Sequence, residues 1–165
     1  MAPIDTVSPP ALNSGTLYIC VRANPSLPDH WGLYYHETQN SGRKMHITNL
    51  GRGWIYDAAT SSGVGRSMAM VLFLTIGKIT PSHSSTLFEV IDATPLNTGK
   101  PDFNCISWTL DAIDRLICAK RVALKPGFTL DHLVKEIDDV TLNIREDVEK
   151  GLRYGISGSS DIFAM

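Results

Sequence analysis

Long apolar runs are missing from this chain of 165 residues. The longest covers residues 68–76 and is interrupted by Thr75. A membrane-spanning helix needs roughly 20 apolar residues in succession, so this segment reads as a buried element and no membrane anchor is expected. Blocks of basic residues are missing as well. Fifteen Lys and Arg stand against 17 Asp and Glu, for a net charge of −2, which argues against nucleic acid as a partner. Only 19% of residues are charged, but 43% are hydrophobic, so the chain can bury a core and is not of the disordered class. Cysteine is scarce and odd in number, at positions 20, 105 and 118. With no secretion signal in view, this points to free thiols in a reducing, cytoplasmic compartment. Internal repeats and domain-sized linkers are absent. The expected organisation is a leader at 1–14 marked by Pro3, Pro9 and Pro10, one domain at 15–155, and a flexible tail at 156–165.

What is present is alternation. Leu17, Ile19 and Val21 alternate with Tyr18, Cys20 and Arg22, which predicts a strand. A loop with Pro25 and Pro28 follows. A second strand is expected over 30–36 and a third over 44–50, separated by the turn signal Asn40-Ser41-Gly42. Gly51-Arg52-Gly53 turns into a fourth strand at Trp54. Residues 68–79 fit strand or helix, and 87–91 are expected to be a strand. Ile106, Leu110, Ile113 and Ile117 then fall at helical spacing behind Asn104, a good N-cap residue. A last helix is expected from Thr129 to a stop at Gly151, with Leu130, Leu133, Val134, Ile137, Ile144 and Val148 as its stripe. Its acidic residues, Glu136, Asp138, Asp139, Glu146, Asp147 and Glu149, read as a solvated face. The fold class is α+β, an antiparallel sheet with helices added late.

The hairpin of the second and third strands carries the candidate chemistry. Trp31, Leu33 and Tyr35 share one face with Met45 and Ile47 if the apolar sets are to meet in the core. That register places His30, His36 and His46 together on the other face. Cys105 opens the first long helix, where the dipole and free N–H groups favour the reactive thiolate. Cys105 is therefore the candidate nucleophile, His30 the base and His46 the orienting group, with Asp57 as the alternative orienter. The Cys105 backbone N–H is a natural oxyanion donor. Trp31, Tyr34, Asn104 and Trp108 are the candidate substrate contacts.

Plainer readings attach to the other residues. Cys20 and Cys118 read as structural, and His36 as solvent-facing near its turn; His83 and His132 have no evident partners. Residues 63–67 lack the ending of a phosphate-binding loop and read as a surface loop. The spacing 30, 36, 46 and 105 matches no compact zinc pattern, so neither metal nor cofactor is expected.

His30-Trp31-Gly32-Leu33-Tyr34, a second histidine on the next strand, and later Asn104-Cys105 before an amphipathic helix resemble the lecithin:retinol acyltransferase family. That family is a circularly permuted branch of the NlpC-type, papain-like thiol hydrolases. The resemblance covers roughly residues 15–120. It implies a permuted papain-like fold, a Cys-His-His triad of Cys105, His30 and His46, and acyl transfer through a Cys-bound intermediate. The implied substrate is a small ester, thioester or amide. The acceptor stays open: water, an amine, an alcohol or an internal carbanion, making a hydrolase, an acyltransferase or a cyclase, and an accessory role in biosynthesis fits such a chain. The other expectation is a catalytically silent member of the fold that binds a ligand or a protein.

Overall fold

The computed structural model describes residues 8–25 and 28–165. Five strands come first: β1 Thr16–Arg22, β2 His30–His36, β3 Ser41–Asn49, β4 Trp54–Ser62 and β5 Met70–Lys78, the last resolving residues 68–79 as a strand buried along nearly its whole length. The helices are α1 Ser84–Asp92, α2 Cys105–Cys118, α3 Leu130–Leu142 and the short α4 Arg145–Glu149. Short strands β6 Ala123–Leu124, β7 Ile156–Ser159 and β8 Phe163–Ala164 complete the chain.

The main sheet runs β4-β3-β2-β1-β5-β7. Its first five strands are antiparallel neighbours, but β7 lies parallel to β5, so the sheet is mixed and not purely antiparallel. Period-2 patterning gives the sheet two different faces. On the first face, Leu17, Ile19, Val21, Trp31, Leu33, Tyr35, Met45, Ile47, Leu72, Leu74 and Ile76 build the main core with α1, α2 and α3. On the second, Tyr18, Cys20, Tyr34, Met70 and Phe73 pack with Leu12 and Val64. Val71 meets Ile144 and Val148 of α4 in a third cluster.

Several expectations are corrected. Residues 87–91 lie in a helix, because Leu87 and Ile91 are spaced four apart and point together into the core. Phe88 beside them packs edge-on against Tyr35 and lies under the Arg43 guanidinium. In α2 the buried stripe is Cys105, Trp108, Thr109, Ala112, Ile113 and Leu116, rotated from the expected one. Ile106, Leu110 and Ile117 only flank the core. The last helix is interrupted between Leu142 and Arg145, so Ile144 and Val148 turn onto β5 on the second face, away from α3.

Glu136 is not part of a solvated face. Its carboxylate accepts from Ser160 Oγ and Asp161 N, both at 2.6 Å. That fixes the chain end, which was expected to be loose. Instead, β7 pairs with β5, and Ile162 and Phe163 are buried in the main core. Replacing Phe163 with Ala should therefore cost about 3–5 kcal/mol of stability, as for other fully buried aromatic residues. Urea denaturation of the purified variant measures this, and a loss below about 0.5 kcal/mol, the range of surface substitutions, would contradict the packed tail.

Candidate functional site

The site forms where β2 and β3 part. The Gly15 N–H donates to the His36 carbonyl, so the peptide groups of His36 and, by alternation, of Tyr34, Gly32 and His30 face β1. Those of Leu33, Trp31 and Asp29 face β3. The β2–β3 register begins only at Leu33↔Met45. Beyond it, the Trp31 N–H and the Asp29 carbonyl lack a β3 ladder partner, and Cys105 meets both. Its thiol donates to the Asp29 carbonyl at 3.8 Å. The Trp31 N–H acts in turn on the sulfur and favours its ionised form. The two peptide units flanking His30 therefore hold Cys105 Sγ.

Helix α2 begins at this cysteine for a local reason. Asn104 is extended, and its Oδ1 accepts from the N–H groups of Ile106 and Ser107 at 2.9 and 3.0 Å. Ser107 Oγ returns the bond to the Asn104 N–H, completing a capping box. Asn104 thus has its side chain committed to the cap.

The His30 and His46 rings meet edge-on, with Nε2 of His30 at 2.8 Å from Nδ1 of His46. His46 Nε2 lies 3.2 Å from Asp57 Oδ2, and His46 pairs with Asp57 across β3 and β4. A carboxylate only accepts, so His46 carries its proton on Nε2 and Nδ1 accepts from His30 Nε2–H. The free lone pair of His30 is therefore on Nδ1. Gly32 makes the approach possible: a Cβ there would come within 2.8 Å of His46 Cβ.

Burial favours the neutral forms of both imidazoles and of the thiol. Burial pushes the His30 imidazole down to about 4, aided by His46, Arg22 and Lys44. His46 is also lowered by burial and by Lys44, against the raising effect of Asp57. Cys105 was expected to ionise readily, but burial pushes the thiol up and outweighs the N–H groups of Trp31, Cys105 and Ile106. Its exposure is only 4%.

The structure thus joins His30, His46 and Asp57 by hydrogen bonds and sets Cys105 against the backbone on either side of His30. No hydrogen bond links the His30 ring to Cys105 among the described residues. Trp31 and Trp108 are core residues, and Trp108 stacks near Tyr56 with ring centroids 5.4 Å apart. Tyr34 lies apart, on the second face beside His36, which is buried and not solvent-facing. Arg145 is a neighbour the sequence did not reveal. It pairs with Asp29 at 2.9 Å and donates to the Asn24 carbonyl at 3.1 Å, holding the approach to β2. Two open cavities of about 580 and 630 Å³ occur elsewhere, and neither is lined by Cys105, His30 or His46.

A histidine held neutral by folding makes stability depend on acid. Between the ordinary value of 6.5 and the folded value of about 4, His30 is protonated in the unfolded chain and not in the folded one. Stability should therefore fall as pH drops from about 6.5 to about 4, by roughly 3 kcal/mol at most from this group, and His30 adds no further loss below that. Thermal melts from pH 7 to pH 4 should show a smaller loss for His30→Gln than for the wild type. Parallel curves would contradict the assignment.

The sequence profile of a family of unknown function, DUF6540, matches residues 17–122. The match runs from β1 past α2 and includes His30, His46, Asp57 and Cys105, but not α3, α4, β7 or β8. No curated protein and no solved structure matches the chain. With well over half of its length matched, the chain belongs to the DUF6540 family.

Proposed function

We propose that the chain is a cysteine-dependent acyl-transfer enzyme that acts through Cys105, in the manner of the permuted papain-like thiol hydrolases it resembles. One observation carries the reading: the hydrogen-bonded row Asp57–His46–His30 leads to the strand segment whose peptide groups grip Cys105 Sγ. Three polar groups in series are the usual support for an imidazole that must take and return a proton.

In the proposed reaction the thiol attacks an ester, thioester or amide carbonyl. The S–C bond forms as the S–H proton passes to His30 Nδ1. The resulting imidazolium keeps Nε2–H on His46 Nδ1, and the Asp57 carboxylate offsets the charge through His46. The oxyanion faces the Cys105 N–H, since those of Ile106 and Ser107 are taken by the Asn104 cap. Collapse breaks the bond to the leaving group, which takes the proton from His30, and an acyl-Cys105 remains. Water, an amine or an alcohol then releases the acyl group by the reverse proton path; with an internal carbon nucleophile, His30 takes the C–H proton, the C–C bond forms as the S–C bond breaks, and the proton returns to the Cys105 thiolate.

The resting pair is neutral and closed, and both properties come from the same burial. Arg145 holds Asp29, whose carbonyl contacts the sulfur, so release of that ion pair opens the thiol to substrate and to water. Entry of water lowers the thiol and raises the imidazole together.

The second reading, a silent binding member of the fold, is favoured by the 4% exposure and raised pKa of Cys105. Acylation by p-nitrophenyl acetate, mapped by mass spectrometry, separates the two. The exposed Cys118 and the buried Cys20 are internal references. The enzyme reading expects Cys105 to acylate faster than Cys118. It expects His30→Gln to slow this about 100-fold and Arg145→Gln to speed it. Acylation of Cys105 no faster than Cys118 in both wild type and Arg145→Gln would leave the binding reading standing.

A further inference from the structure

The larger question left by the second face of the sheet is His36. It is 5% exposed, and its Nδ1 lies 3.0 Å from the Tyr34 hydroxyl. Burial holds the Tyr34 phenol well above its ordinary range, so its O–H remains and donates to His36 Nδ1. The imidazole proton is then on Nε2, and Nε2 has no hydrogen-bond partner although it is buried. The Gln39 backbone acts on the ring as a weak hydrogen-bonding neighbour and favours its charged form, yet no contact to Nε2 reaches hydrogen-bond geometry, and burial still holds His36 on the neutral side. A buried donor left unpaired costs on the order of 1–3 kcal/mol, so it marks a place where an acceptor belongs.

His36 lines a cavity of about 580 Å³, within the usual range for small-molecule sites. Pro9, Pro10, Leu12 and Val64 make its apolar wall. Arg66 is the one formally charged residue in that lining, so the charge the lining offers a ligand is positive. Its walls are fixed by contacts of their own. Ser157 Oγ donates to the Ala11 carbonyl at 3.1 Å, and the Asn13 N–H donates to the Tyr18 hydroxyl at 2.8 Å. At Gly65 a Cβ would come within 3.3 Å of the Pro10 carbonyl, so the two walls are closely apposed.

We propose that this cavity is a second binding site, for a small organic carboxylate with an apolar body. The carboxylate accepts from His36 Nε2–H and pairs with Arg66, while the body lies along the prolines, Leu12 and Val64. The site stands apart from Cys105. His30 and His36 are six residues apart on β2, about 20 Å at the rise of a strand, and Cys105 reaches the sheet through its first face.

The test is titration of the full ¹⁵N-labelled chain with 4-phenylbutyrate, and with 4-phenylbutyramide as the uncharged counterpart. Saturable shifts are expected at the His36 imidazole and at the Gly63 and Gly65 amides, with the acid bound about 10-fold or more tighter than the amide. Arg66→Gln lies on an exposed turn and should weaken the acid about 10-fold with the spectrum otherwise unchanged. Cys105→Ser should bind as the wild type does, which keeps this result independent of the acyl-transfer reading. Absence of a saturable shift up to about 10 mM would overturn the proposal. So would equal affinity for acid and amide, or no effect of Arg66→Gln.

Discussion

The site depends on an interruption in the sheet. If β3 continued to pair with β2 beyond Leu33↔Met45, the Trp31 N–H and Asp29 carbonyl would be spent on the ladder. Because the strands part there, those groups need another partner, and the helix start supplies a thiol. Everything nearby follows from this gap. Asn104 must begin α2 at that level, and its capping box with Ser107 does so. Gly32 must lack a side chain so that His46 can lie against the strand beside His30. Arg145 must hold Asp29, since the chain before β2 has left the sheet.

Two opposing effects act on the sulfur, and their order decides its state. The helix start and the Trp31 N–H favour the thiolate, while removal from water favours the thiol. Burial wins. The thiol therefore stands above its ordinary range while His30 is pushed down to about 4, so burial favours the neutral form of both groups in the closed site. A helix dipole supplies at most about 2 kcal/mol, and burial outweighs it together with the local N–H groups. The closed state therefore favours the neutral thiol and imidazole over an ion pair. In the proposed reaction, hydration or a bound substrate changes the surroundings of both groups before either reacts.

Much of the sheet was legible because alternation is a local signal. The residues of β1, β2 and β3 that alternate in sequence also alternate between faces, and matching the apolar sets was enough to put His30 and His46 on one face with His36; their direct contact comes from the structure. Asp57 was legible as an alternative orienter, and the structure adds it to the row rather than substituting it for His46. Other features depend on partners distant in the chain. The five residues 87–91 are too few to separate a strand from a helix, and only contact with Tyr35 and Arg43 settles them. Polar residues at 157–160 read as loose until β5 offers an unpaired edge and Glu136 offers two acceptors. The rotated stripe of α2 has the same origin: the helix turns to bury Cys105 and Trp108, residues that a count of aliphatic side chains passes over.

His30 and His36 show how far one strand can separate two environments. Both project from β2 to the same face, and burial lowers both imidazoles. Their neighbours differ. At His30 the adjoining strand contributes His46 and then Asp57, so the ring donates into a row that ends in a carboxylate and keeps Nδ1 free as a base. At His36 the partner is a phenol on the same strand, which occupies Nδ1 and leaves Nε2–H as a donor. One ring is thereby set up to accept a proton and the other to donate a hydrogen bond. In the proposed readings, the same residue type at two ends of one strand serves proton transfer at one end and ligand recognition at the other.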